Sequence, residues 1–221
     1  MTASGPQTER ESEREGRREK PGLLYAVVKF FSSVAIKLFF RLKVKGAENV
    51  PRDGGVLIAS NHQSFLDPII VTASNRRPVS FMARDTLFRI PLFGRFIMKL
   101  RAFPVRRGGA DRKAVREAVD RLKAGEVLLV FPEGTRTRDG RLGRLRSGTS
   151  MLAYRGRAPI VPAVIKGAFE AWPRTRKLFR FRPISITYGR PIAPPERSEH
   201  ETHEKIRRKL QDSLESLMEE A

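Results

Sequence analysis

The run Glu126–Phe131, EVLLVF, limits the possible folds more than any other stretch of this chain. Five consecutive apolar residues, Val127 to Phe131, between Gly125-Glu126 and Pro132 are too short for a helix and show no alternation. They read as a strand buried on both faces, as in a parallel sheet. Just before it, Asp111–Ala124 places Ala114, Val115, Ala118, Val119 and Leu122 on one helical face, with Asp111 as N-cap and Gly125 as terminator. The same alternation recurs along the chain. Gly54–Ser60 reads as a strand, Pro68–Asn75 as a helix and Val79–Met82 as a strand. Asp85–Leu100 is helical but broken near Pro91 and Gly94, and Ala102–Val105 is a short strand. Ser147–Arg155 follows as a helix, then Ile160–Ile165 and Ile184–Tyr188 as strands. This order predicts an α/β fold: a single domain with a central mixed, mostly parallel sheet flanked by helices.

The ends differ from this body. Residues 1–20 hold five basic and five acidic side chains and almost nothing apolar, which predicts a disordered charged arm. Their mixed Glu/Arg run does not suit a secretory signal. Residues 21–45 form an amphipathic, membrane-interface segment, residues 46–195 the folded domain, and residues 196–221 a C-terminal amphipathic helix. In that last helix Ile206, Leu210, Leu214 and Leu217 are spaced by four, four and three residues.

Within the N-terminal segment, LLYAVVKFFSSVAIKLFF (residues 23–40) is interrupted by Lys29 and Lys37. Its charge-free runs fall short of the roughly 18–20 residues needed to span a bilayer. On a helical projection Leu23, Leu24, Val27, Val28, Phe31, Val34, Leu38 and Phe39 fill one arc. Tyr25, Lys29, Ser32, Ser33 and Lys37 fill the other, where Phe30, Ile36 and Phe40 intrude. Periodicity suits either an in-plane interfacial helix or one packed on the protein's own core. The Phe residues on the polar side favour the membrane.

Charge points the same way. The chain has 44 Lys plus Arg against 24 Asp plus Glu, a net +20. Residues 21–110 carry 15 basic and 4 acidic side chains, and residues 111–193 carry 19 and 7. The excess therefore lies on the folded body and calls for anionic partners. With no Cys and three His, disulfides, thiol nucleophiles and Cys zinc sites are excluded, and no metal site is expected.

Four stretches carry the chemistry. Asn61-His62-Gln63-Ser64-Phe65-Leu66-Asp67-Pro68 directly follows a buried strand, where open α/β sheets place their ligands. In a strand-to-helix turn, Ser64 or Asp67 could cap the next helix with Pro68 in its first turn. Asp67 would then hold one nitrogen of His62 and leave the other to accept a hydroxyl proton. Phe131-Pro132-Glu133-Gly134-Thr135-Arg136 also leaves a buried strand, with Gly134 allowing close backbone approach. Phe103-Pro104-Val105-Arg106-Arg107-Gly108-Gly109 ends a strand in two arginines suited to phosphate. Ile160-Val161-Pro162-Ala163-Val164 is chemically silent.

In this order the four blocks resemble those of the glycerolipid acyltransferase family, in particular the bacterial 1-acylglycerol-3-phosphate acyltransferases: an NHxxxxD box, a loop ending in Arg, an FPEGTRS box and a Pro-containing apolar block. The resemblance covers roughly residues 45–190. It implies His62 as general base and Asp67 as its orienting partner. Arg107, Glu133, Gly134, Thr135, Arg136 and Arg146 would be the substrate-binding set. Thr137 stands where Ser is usual, Arg146 where Lys is common, and Arg106 where many members carry an acid. The implied reaction moves an acyl group from acyl-CoA or acyl carrier protein to the sn-2 hydroxyl of lysophosphatidate, giving phosphatidic acid. No metal or bound cofactor is required, and backbone amides near the helix start are candidates for the oxyanion. The chain would sit on the cytoplasmic face of the membrane, peripheral or monotopic, held by an anionic surface.

Two other readings compete. The four blocks equally fit a sibling enzyme acting on another lysolipid, such as a lyso-ornithine lipid or lysophospholipid. A basic nucleic-acid-binding domain would explain the charge, but it calls for aromatics interleaved with basic residues or a reading helix. With the Phe residues clustered in the N-terminal segment and beside strands, no nucleic-acid partner is expected.

Overall fold

The computed structural model describes residues 21–106 and 111–220. Along the chain lie α1 (Leu23–Phe39), β1 (Lys43–Lys45), β2 (Val56–Ser60), α2 (Asp67–Ser74), β3 (Val79–Arg84), α3 (Pro91–Lys99) and β4 (Ala102–Val105). They are followed by α4 (Arg112–Lys123), β5 (Val127–Val130), α5 (Gly148–Gly156), β6 (Ile160–Lys166), α6 (Ala168–Ala171), β7 (Ser185–Tyr188) and α7 (His200–Glu220). The strands form one sheet in the order β1-β7-β6-β2-β5-β3-β4. Every pair is parallel except β6–β7. The expected mixed, mostly parallel α/β fold is the one observed.

The apolar runs do what their continuity predicts. Every residue of β2 and β5 is buried, and alternate side chains enter opposite faces of the sheet. Ile58, Leu129 and Val161 join one core with Ile70 and Val71 of α2. Leu57, Leu128 and Ile160 join the other with Ala118 and Leu122 of α4, Leu152 of α5, and Leu210 and Leu214 of α7. Each such Leu, Ile or Val contributes roughly 1.5–3 kcal/mol by its burial.

Local signals were mostly sound. The Asp111 carboxylate accepts the amides of Lys113 and Ala114 at the start of α4, and also that of Arg106 at 2.9 Å. The expected break at Gly94 is absent. Asp85–Arg89 is a separate 3-10 turn and the chain breaks at Ile90, leaving Gly94 inside α3. A Cβ at Gly94 would lie 2.6 Å from the Phe88 carbonyl oxygen, so this glycine serves close packing of α3 on the turn before it. The first strand, Lys43–Lys45, had no apolar signal, and only its pairing with Ser185–Thr187 defines it. The arm at residues 1–20 lies outside the described residues.

Helix α1 packs on the protein with the side that looked polar. Tyr25, Ile36 and Phe40 are buried. The Tyr25 hydroxyl accepts the Val79 amide at 2.9 Å, and burial pushes its ionisation upward. Lys29 Nζ donates to the carbonyls of Asn75, Arg76 and Arg77 at 2.8, 3.2 and 3.4 Å, where α2 ends and a cation is favoured. Two of the three intruding residues, Ile36 and Phe40, are thus core anchors rather than membrane contacts. The apolar arc faces outward instead. Leu23 is 82% and Leu38 68% exposed, with Val27, Phe31, Val34 and Phe39 exposed between them. A water-facing helix would have the opposite polarity. No helix among the described residues is long and apolar enough to cross a membrane.

Candidate active site

Strands β2 and β5 are neighbours in parallel register, with Ala59 opposite Val130, so His62 and Glu133 leave the sheet side by side. Two connections emerge there, His62–Leu66 and Phe131–Ser147, and several hydrogen bonds lace them together. The His62 amide donates to Glu133 Oε1 at 2.8 Å, and the Thr137 amide donates to the His62 carbonyl at 2.8 Å. Gln63 Nε2 donates to the Gly140 carbonyl at 2.9 Å. On the other flank the Asn61 side chain pairs with Ile165 of β6 through both of its polar atoms: Nδ2 donates to the carbonyl at 2.9 Å, and Oδ1 accepts the amide at 2.8 Å. A side-chain amide here continues the β2–β6 ladder beyond the strand's end.

On this frame His62 Nδ1 lies 2.7 Å from Asp67 Oδ2. The same oxygen accepts the amides of Gln63 and Ser64 at 2.7 and 2.8 Å. An ionised carboxylate only accepts, so Nδ1 carries the proton and Nε2 presents its lone pair. Nε2 makes no hydrogen bond to any of the described residues, and the ring is 13% exposed. The imidazole stacks on Phe131 at 3.8 Å between ring centroids and 12° between planes. Hydrogen bond and stacking together fix both the tilt and the rotation of the ring. Asp67 is the first residue of α2 and fully buried, and its carboxylate reaches back to the turn rather than forward to cap the helix. The Ser64 hydroxyl also does not cap α2; it donates to the Trp172 carbonyl at 2.7 Å and accepts the Leu66 amide at 3.2 Å. Because Gln63 and Ser64 give their amides to Asp67, those two are not available to an oxyanion.

The second box divides its labour. Both Glu133 oxygens are engaged by backbone amides, Oε1 by His62 and Oε2 by Gly143 at 2.9 Å. Burial raises its carboxyl above the ordinary value of 4.5, against the pull of those two amides. A buried carboxylate spent on two amides ties the loops together, and its charge would repel a phosphate. Gly134 has φ +73°, and a Cβ there would sit 2.9 Å from Arg146 Nε, so the Arg146 side chain lies directly over it. Thr135 is exposed. The Arg136 guanidinium stacks on Phe65 with Cζ 3.5 Å from the ring centroid. Arg107 lies outside the described residues. Among those described, no group of three or more His, Asp or Glu could hold a metal ion.

The structure thus gathers His62, Asp67, Glu133, Gly134, Arg136 and Arg146 around the ends of β2 and β5. Sequence reasoning missed the parts played by Asn61, Phe131 and Thr137. All three stand inside or next to the quoted boxes, so their position was the available signal.

A buried strand, a His–Asp pair in the turn to a helix and a neighbouring Glu-Gly-Thr-Arg loop together define a class. Residues 41–166 match the Acyltransferase family model, and the chain belongs to that family of enzymes. A 1-acyl-sn-glycerol-3-phosphate acyltransferase of Bacillus subtilis is 32% identical over 168 residues, 73% of this chain and 81% of that protein. The chloroplastic 1-acyl-sn-glycerol-3-phosphate acyltransferase LPAT1 of Arabidopsis thaliana is 31% identical over 66% of this chain, which spans 42% of the plant protein. The crystal structure of the lysophosphatidate acyltransferase PlsC from Thermotoga maritima superposes with a TM-score of 0.75. It is 27% identical, over 96% of this chain and 82% of that one.

Proposed function

We propose that this chain acylates the sn-2 hydroxyl of 1-acyl-sn-glycerol-3-phosphate at a membrane surface, using acyl-CoA or acyl carrier protein as donor and forming phosphatidic acid. The observation that carries the reading is the His62–Asp67 pair, whose fixed tautomer leaves Nε2 open at the end of the sheet. In the reaction the acceptor hydroxyl attacks the thioester carbonyl and gives its proton to His62 Nε2. The tetrahedral intermediate collapses by breaking the C–S bond, and the departing thiolate takes the proton back from the imidazolium. Asp67 offsets the imidazolium charge throughout, in the manner of a hydrolase triad whose nucleophile is the substrate itself.

Arg136 and Arg146, with Arg107 from the neighbouring block, suit the acceptor phosphate, since guanidinium groups bind phosphate oxygens in pairs. Lysophosphatidate is also the substrate class in the names of the relatives above. The outward apolar arc of α1 and the basic body suit peripheral attachment to an anionic bilayer. The test is a product assay with purified protein, labelled acyl-CoA or acyl carrier protein, and lysolipids of one chain length. Phosphatidic acid is the expected dominant product. Transfer to lysophosphatidylcholine or a lyso-ornithine lipid, with none to lysophosphatidate, overturns the assignment.

A further inference from the structure

Between α6 and β7 the chain runs Pro173–Pro183, PRTRKLFRFRP. Arg174, Arg176, Lys177, Arg180 and Arg182 alternate there with Leu178, Phe179 and Phe181, and the segment has no acid. It therefore does interleave basic and aromatic residues, contrary to the expectation from the distribution of Phe. The backbone is held in place: the Arg176 amide donates to the Pro173 carbonyl at 3.2 Å, the Arg180 amide to that of Ala171 at 2.8 Å, and Trp172 Nε1 to that of Arg176 at 3.2 Å. Its apolar side chains nevertheless stay largely open to solvent. Leu178 is 77% and Phe181 59% exposed. Of the five cations only Arg176 uses its side chain on another of the described residues, donating to the Glu170 carbonyl at 3.0 Å. Arg176, Arg180 and Arg182 line an open concavity of about 710 Å³, in which Glu170 is the one acid among the described residues.

The segment is continuous with two other features. The Phe181 ring lies 5.2 Å from that of Phe39, on the outward arc of α1. Rings then follow one another from Phe181 through Phe179 and Trp172 to Phe65, at 5.3, 5.7 and 5.2 Å. Phe65 is the ring beneath Arg136.

Exposed apolar side chains need burial, and cations without ion pairs need anions. One partner meets both needs along one surface: a bilayer interface containing anionic lipid. We infer that residues 173–183 are a lipid-docking loop. Leu178 and Phe181 enter the headgroup–acyl boundary beside α1 while Arg174, Lys177, Arg180 and Arg182 hold anionic headgroups. This rests on the reading of α1 as membrane-facing. Nucleic acid fits less well, because the adjoining arc of α1 is apolar and offers a phosphate backbone nothing. Docking by this loop sets the lipid surface at the start of the aromatic run that ends under Arg136, so the acceptor approaches from the bilayer.

The chain has no Cys, so Leu178→Cys creates a unique site for a polarity-sensitive dye. With the full chain on phosphatidylcholine–phosphatidylglycerol vesicles, emission from position 178 shifts to the blue, as does that from Leu38→Cys, whereas Lys209→Cys on α7 stays water-like. Arg180→Gln with Arg182→Gln, both exposed and without a side-chain partner among the described residues, lowers partition onto these vesicles about 30-fold, at about 1 kcal/mol per cation. Partition onto pure phosphatidylcholine and the thermal midpoint stay unchanged. A water-like signal at 178 with a blue shift at 38 overturns the loop and leaves α1 standing. No association with either vesicle overturns both, as does salt-sensitive binding to an oligonucleotide in its place. Equal losses on both vesicle types overturn the headgroup role.

Discussion

Replacing Asp67 with Asn separates the two services this carboxylate gives to His62. The simplest expectation for such a change is a wrong tautomer, with the new amide NH₂ turned towards the ring. Here the backbone opposes that rotation. Asp67 Oδ2 accepts the amides of Gln63 and Ser64 as well as His62 Nδ1, so an NH₂ in its place would face three N–H donors. The Asn oxygen therefore stays at Oδ2, and the His62 tautomer is kept. What disappears is the negative charge beside the imidazolium formed during transfer. Two unit charges about 4 Å apart at an effective dielectric near 20 interact by about 4 kcal/mol. That predicts a fall in kcat of about a thousandfold with little change in acceptor KM. The new NH₂ takes the site of Oδ1, which is buried and has no hydrogen-bond partner among the described residues. One unpaired buried polar atom replaces another there, so the thermal midpoint stays within a few degrees of wild type. Thiol release from acyl-CoA, followed over a range of lysophosphatidate concentrations, gives kcat and KM separately. A kcat within tenfold of wild type in a folded protein, or a loss confined to KM, refutes the reasoning.

The remaining tests probe other parts of the site. Arg136→Ala raises the acceptor KM by about 10- to 100-fold, the worth of charge-assisted phosphate hydrogen bonds, with a smaller change in kcat; steady-state kinetics read both. Asn61→Ala leaves both backbone groups of Ile165 without partners in a buried site, and chemical denaturation registers a loss of about 2–4 kcal/mol. Glu133→Gln tests pH linkage. Burial raises the Glu133 carboxyl above 4.5, so the native state holds its proton where the unfolded chain has lost it. The stability gained from this is present below that value and is lost as pH rises through the raised one. Thermal midpoints measured across this interval therefore fall with rising pH more steeply in wild type than in Glu133→Gln, and parallel curves contradict the assignment.

The readable parts of this molecule were those whose physics is local. Contiguous apolar runs such as Val127–Val130 mark strands buried on both faces, and Asp111 announces a helix start wherever the chain goes next. The His62–Asp67 pairing was legible because a strand-to-turn-to-helix path brings five residues together without help from the rest of the fold. The undetected parts depend on distant partners. Asn61 meets Ile165 across 104 positions, and Glu133 meets the amide of His62 across 71. Nothing near Glu133 in sequence shows that its carboxylate is spent on backbone. Helix α1 is the clearest case. Its period defines two faces, but which face turns inward depends on Tyr25 finding the Val79 amide and Lys29 finding the end of α2. Those contacts take the polar side into the protein and leave the apolar side for a different environment.

The central claim is that His62 is the base. His62→Ala removes Nε2 from a position 13% exposed, so the fold can tolerate the loss, and circular dichroism with a thermal scan verifies that it does. With labelled acyl donor and lysophosphatidate under single-turnover conditions, phosphatidic acid formation should fall by about 10²- to 10⁴-fold. Near-normal turnover by a folded His62→Ala protein would contradict the account.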